Sequence, residues 1–132
     1  MSSKYVVDAG ALALYFSGDK RVKKYFDNIF RGYAIGYLCE INLVEFYYKT
    51  AEKLGEEVAK LRYISIRNSS IRQIAAGGDL TIEAARIKLR YRRRISLADA
   101  YLIALARMVN GVILTTDKTV KEVYGKCIYF EV

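Results

Sequence analysis

The sequence predicts an α/β fold, a Rossmann-like arrangement in which a mainly parallel central sheet carries helices on both faces. Three observations predict it. Short β-branched apolar runs alternate along the chain with longer stretches of helical periodicity. The first and third of four expected strands run into the aspartates Asp8 and Asp117, and the carboxyl ends of strands in open parallel sheets are where ligands gather. No repeat, low-complexity tract or proline-rich linker divides the 132 residues, a length that suits a single domain, 1–132, with a real core.

The elements follow in order. Residues 4–7 read as a short buried strand, because Tyr5, Val6 and Val7 form an apolar, largely β-branched run. Asp8 ends it and can cap a helix over 11–16, which stops at the turn Ser17-Gly18-Asp19. Residues 20–30 place Val22, Phe26, Ile29 and Phe30 on an approximate helical stripe, and Gly32 closes that helix. A second strand is expected over 33–37. Residues 40–54 read as a helix stopped near Gly55, and 56–66 as another with Val58, Leu61 and Ile64 at helical spacing. The stretch 68–79 is rich in Asn, Ser and Gly and is expected to hold turns plus a short helix. A helix over 81–91 carries Ile82, Ala85 and Leu89, and one over 96–109 is closed by Asn110-Gly111. A strand at 112–114, a short helix at 118–124 and a last strand at 128–130 complete the chain.

Composition narrows the function. Hydrophobic residues make up 53% of the chain, which argues against disorder. No apolar stretch reaches the ~18 residues that a membrane span requires. Lys4 followed by an apolar run resembles the start of a signal peptide, but Asp8 interrupts it. The expectation is therefore a cytoplasmic protein with no membrane partner. Cys39 and Cys127 lack CxxC spacing and are expected to be reduced thiols. Histidine is absent. Its absence excludes Ser-His-Asp and Cys-His nucleophile systems and the usual histidine-containing zinc sites. Hydrolysis would then need metal-bound water or a carboxylate base.

Four acids stand in unusually apolar settings. Asp8 follows Tyr5-Val6-Val7, Glu45 lies within Leu43-Val44-Glu45-Phe46, Asp99 lies within Leu97-Ala98-Asp99-Ala100, and Asp117 follows Ile113-Leu114-Thr115-Thr116. A carboxylate removed from water is costly unless it is paired, bound to metal or placed at an element's end. Capping is the structural alternative for Asp8 and Asp117, and Ser96 with Asp99 fits a capping box. Glu45 is mid-helix between Ile41 and Tyr48 and has no such alternative. Asp19, Asp27, Glu52, Glu56 and Glu57 sit among lysines or polar residues and read as surface acids. The formal net charge is +8; were the four special acids neutralised by metal, 22 basic side chains would face ten acidic ones, a balance of +12. A polyanion such as nucleic acid is the partner that suits this excess. The densest basic run is Arg86-x-Lys88-x-Arg90-x-Arg92-Arg93-Arg94. Arg92, Arg93 and Arg94 are candidate RNA contacts, and a solvated helix face is the alternative. Tyr47, Tyr48 and Tyr101 are candidates for a subunit interface.

The order Val-Val-Asp-Ala-x-Ala-Leu from Val6, Glu-Ile-Asn-Leu-Val-Glu from Glu40, Ser-Leu-Ala-Asp-Ala from Ser96 and Leu-Thr-Thr-Asp from Leu114 resembles the PIN-domain family. Within it, the chain is most similar to the VapC ribonuclease toxins. The resemblance runs from Tyr5 to Phe130. It implies a Rossmann-like sheet, a Mg²⁺ or Mn²⁺ cofactor in an acidic pocket, and endoribonuclease activity. It places Asp8, Glu45, Asp99 and Asp117 as catalytic and metal-binding residues, with Thr115 as the hydroxyl two residues before the last acid; Ser96 and Thr116 are further candidate hydroxyls around them. It also implies a homodimer and a cognate antitoxin. One departure is Gly10, where the family carries Ser, Thr or Asn; the loss of that hydroxyl raises a second reading, a catalytically weak PIN-like RNA-binding or scaffold protein. An aspartyl-phosphate mechanism at Asp8 is disfavoured, since no second Asp follows at position 10.

Overall fold

The computed structural model describes residues 3–132. Five parallel strands form one sheet in the order β3-β2-β1-β4-β5. They are β1 (Ser3–Val7), β2 (Ala34–Cys39), β3 (Arg72–Ile74), β4 (Val112–Thr115) and β5 (Cys127–Tyr129). The helices are α1 (Ala9–Phe16), α2 (Lys20–Phe30), α3 (Glu40–Leu54), α4 (Glu56–Arg67), α5 (Gly78–Tyr91), α6 (Leu97–Val109) and α7 (Lys118–Val123), with a 3₁₀ turn at Arg92–Arg94. The expected α/β class is the observed one.

Side-chain alternation along the central strands divides the core into two layers. Val6, Tyr37, Cys39 and Ile113 point to one face, where α6 packs with Leu80, Ala84 and Ile87 of α5 and Val120 of α7. Val7, Leu38 and Leu114 point to the other, against Leu12 of α1, Val22, Phe26 and Ile29 of α2, Phe46 of α3 and Ile66 of α4. A period of two in an apolar strand forces this division, because successive residues leave the sheet on opposite sides. Burying each Leu, Ile or Phe of these layers contributes roughly 1.5–3 kcal/mol.

The strand order fixes where a site can form. The chain builds β1, β2 and β3 outward in one direction and then returns to lay β4 on the other side of β1. Connections after β1 and β4 therefore leave on opposite faces and open a crevice at their carboxyl ends. Asp8 directly follows β1, and Asp117 follows β4 with Thr116 between. Their expected placement is observed.

Two local expectations change. The stretch 68–79 holds strand β3 rather than a short helix, and α5 begins already at Gly78. β3 is three residues at the sheet's edge, paired with β2 through Tyr37↔Arg72 and Cys39↔Ile74. Arg72 and Gln73 carry no strand signature, so the pairing comes from the neighbouring strand rather than local propensity. Asn110 does close α6, in the left-handed conformation (φ +56°). Cys39 and Cys127 are free thiols. Among the described residues, no helix is long and apolar enough to cross a membrane.

Candidate active site

The sequence-derived quartet lines one cleft. Asp8, Glu45, Asp99 and Asp117 share an opening of about 750 Å³ with Gly10 and Thr116. Each acid arrives from a different element. Asp8 N-caps α1, where the Ala11 N–H donates to its Oδ1 at 2.6 Å. Asp117 N-caps α7, with the Thr119 N–H donating at 2.8 Å. Asp99 sits in the first turn of α6, and its N–H donates to the Ser96 hydroxyl at 3.1 Å. The capping alternatives are thus real, and they coexist with the cleft. Glu45, in the middle of α3, has only Lys49 as an ion-pair partner among the described residues, at 3.5 Å.

Asp8 is the most deeply held. It is 6% exposed. Its Oδ2 accepts from the Thr115 hydroxyl and from the Thr116 N–H at 3.3 Å. Thr115 in turn accepts from the Asp117 N–H at 2.9 Å, so one buried hydroxyl ties the first acid to the last. A carboxylate offers about four acceptor sites. Three are used by these bonds, which leaves a lone pair on Oδ1 for one further partner.

The cleft raises the cost of charge. Burial pushes the Asp8 carboxyl up to about 6; Glu45 adds repulsion, and bonds from Thr115, Ala11 and Thr116 oppose the rise. Burial also pushes Asp99 up, to about 7, reinforced by a hydrogen bond and repulsion from Asp117 and by repulsion from Glu45, with Ser96 acting against it. A neighbouring carboxylate disfavours the charged form of Asp99 in the same sense as burial does. Crowded anions with only oxygen donors are chemistry that suits a hard divalent cation such as Mg²⁺ or Mn²⁺. Among the described residues, however, no three Asp, Glu or Cys side chains are already gathered as a metal cage. The donor set fits the ion in kind, and ligation would draw the acids together.

Asn42 and three basic residues were not singled out from the sequence. Asn42 is 1% exposed, and its Nδ2 donates to the Ala98 carbonyl at 3.2 Å. It thereby ties α3, bearing Glu45, to the turn of α6 bearing Asp99. Its Oδ1 is buried without a partner among the described residues. Lys49, Lys53 and Arg62 line the same cleft as the acids. Glu45, Lys49 and Lys53 recur every four residues, a spacing that puts them on one helix face and was the available signal. Arg62 lies over the Phe16 ring at 5.3 Å, which orients its guanidinium.

The Arg92–Arg94 run lies elsewhere. It forms the exposed 3₁₀ turn before α6, it does not line the cleft, and Arg94 pairs with Glu122 at 3.4 Å. Asp19 and Asp27 pair with Arg21 and Lys23, and Glu56 and Glu57 are exposed. Glu52 is exposed too, but on the rim of the cleft. Tyr47 packs edge-on against Tyr63, and the Tyr101 hydroxyl lies 3.3 Å from that of Thr81. Tyr48 remains 49% exposed.

Residues 5–126 match the PIN domain family, and the chain belongs to that family. No curated protein matches it by sequence. Among solved structures, it is similar to the VapBC2 complex from Rickettsia felis bound to a promoter DNA fragment (TM-score 0.76, 12% identity, 97% of this chain and 99% of that one). It is also similar to Mycobacterium tuberculosis VapC20, a Sarcin-Ricin loop cleaving toxin (TM-score 0.75, 19% identity, 91% of this chain and 95% of that one). A third is PAE2754 from Pyrobaculum aerophilum (TM-score 0.66, 21% identity, 98% of this chain and 92% of that one). At these identities the likeness is one of fold.

Proposed function

We propose that this chain is a metal-dependent endoribonuclease of the VapC toxin type, which hydrolyses RNA phosphodiesters by metal-activated water. The observation that carries the reading is the convergence of Asp8, Glu45, Asp99 and Asp117 on one cleft at the switch point of a PIN-domain sheet. A bound Mg²⁺ or Mn²⁺ would acidify the attacking water and polarise the phosphate. Asp8 and Asp99 are the principal anchors. Asp8 lines the cleft, is fixed by three hydrogen bonds and keeps acceptor capacity on Oδ1. Glu45 and Asp117 complete the set. Lys49, Lys53 and Arg62 hold the flanking phosphates on the side of the cleft nearest α3 and α4. This assignment takes the RNA path away from Arg92, Arg93 and Arg94.

A protein partner is part of the proposal. The R. felis neighbour is a toxin–antitoxin complex, and a cognate antitoxin is proposed here on that likeness. The homodimer is proposed with it, supported by the exposed apolar residues Val44 and Tyr48 on α3. Sedimentation across a concentration series tests the dimer.

The absence of a ready-made metal cage among the described residues favours the second reading, a weakly catalytic RNA-binding PIN domain. One assay separates the two. A panel of structured RNAs is incubated with Mg²⁺ or Mn²⁺, with and without EDTA, beside Asp8→Asn and Asp99→Asn. Metal-dependent cleavage lost in both variants supports the nuclease. RNA binding without cleavage supports the alternative.

A further inference from the structure

We infer that the Thr116 hydroxyl is a positioning group of the acid cleft, and that residue 10 is glycine because Thr116 occupies the space its side chain would fill. The inference rests on the nuclease reading of that cleft. Gly10 lies within α1, outside the left-handed region, where glycine costs about 0.5–1 kcal/mol against alanine. Backbone conformation therefore does not call for it. Space does. A Cβ built on Gly10 collides with Thr116 Oγ1 and would lie 3.0 Å from Thr116 Cβ and 3.1 Å from Cγ2. Rotating Thr116 about χ1 cannot clear the Cβ contact, and moving its backbone would disturb the N–H that donates to Asp8 Oδ2 at 3.3 Å.

The other hydroxyls beside the acids are already engaged. Thr115 donates to Asp8 Oδ2 and accepts from the Asp117 N–H. Ser96 accepts from the Asp99 N–H at 3.1 Å as the N-cap of α6. Among the described residues, Thr116 hydrogen-bonds only through its backbone N–H, while its side chain borders the cleft beside Gly10. That leaves its O–H free to orient a water or a phosphate oxygen held by the acids. The hydroxyl reaches the mouth of α1 from the loop after β4 instead of from α1 itself. Gly10 and Thr116 are thus two halves of one arrangement.

The test is a side-chain exchange read by Mn²⁺ affinity, from electron paramagnetic resonance titration, with thermal melting as the check on folding. Losing an outer-shell hydrogen bond to a metal site costs about 10–100-fold in affinity. Thr116→Val should weaken Mn²⁺ binding by about tenfold or more, and Thr116→Ser should recover most of that loss. Gly10→Ser alone should lower both the melting temperature and the affinity, because the new Cβ meets Thr116. Gly10→Ser combined with Thr116→Gly moves the hydroxyl to α1 and should restore binding beyond Thr116→Gly alone. A folded Thr116→Val protein that binds Mn²⁺ within about twofold of wild type overturns the inference, since the expected loss is at least about tenfold. Failure of the exchange to improve on Thr116→Gly overturns it as well. If instead the wild type neither binds Mn²⁺ nor cleaves RNA, the nuclease reading falls and takes this inference with it.

Discussion

Asp8 shows how one residue can serve structure and chemistry in opposite senses. It caps α1 and accepts three hydrogen bonds, yet burial holds its carboxyl at about 6 instead of 3.8. A folded-state value above the unfolded one means that the fold prefers the protonated acid. In the metal-free protein, this contribution to stability is full below about pH 4 and is lost as pH rises through 6. Asp8→Asn should therefore abolish metal-dependent cleavage and remove this loss of metal-free stability between about pH 4 and pH 7, as read by denaturant melts across that range. Activity runs the other way with pH. Metal binding needs ionised acids, so cleavage and Mn²⁺ affinity should rise between pH 6 and 7 as Asp8 and Asp99 lose their protons. The four acids were legible in the sequence because each interrupts an apolar run. Lys49, Lys53 and Arg62 were not, because a lysine on a helix resembles any solvated lysine until its neighbours across the cleft are known.

At the scale of elements, the site depends on how α3 is set against α6. Glu45 and Asp99 are 54 positions apart in the chain, and Asn42 supplies a buried hydrogen bond between their helices. Asn42→Ala should cost about 1 kcal/mol in stability through loss of its buried hydrogen bond to the Ala98 carbonyl. It should also weaken Mn²⁺ binding in the folded protein, which calorimetry can read at a temperature well below the melt. A second tie lies at the far end of α4. There Arg67 grips the Glu40 carboxylate through both terminal nitrogens and also reaches Gln73 of β3 at 3.2 Å. That tie helps explain the strand that sequence reasoning missed. Arg72–Ile74 has little strand propensity of its own and is placed by its pairing with β2 and by neighbours such as Arg67. The long helices and central strands carry their periodicity openly, so they could be read locally. An edge strand specified by its neighbours could not.

Across the whole molecule, the excess positive charge is unevenly useful. The balance of +8 is consistent with a polyanionic partner, but the cleft selects which cations meet the reacting phosphate. Replacing Lys49, Lys53 and Arg62 with alanine should flatten the salt dependence of single-stranded RNA binding by about two in log–log slope, for three lost phosphate contacts at ~0.7 each. The triple replacement of Arg92, Arg93 and Arg94 should change that slope less and leave cleavage at saturating RNA nearly intact. The measurement that bears most directly on the central claim is RNA cleavage with Mn²⁺ by the wild type and by Asp99→Asn, each with and without EDTA. The account predicts cleavage by the wild type that EDTA abolishes, and a loss of about tenfold or more in the variant. Cleavage that survives EDTA, or an Asp99→Asn protein as active as wild type, would contradict it.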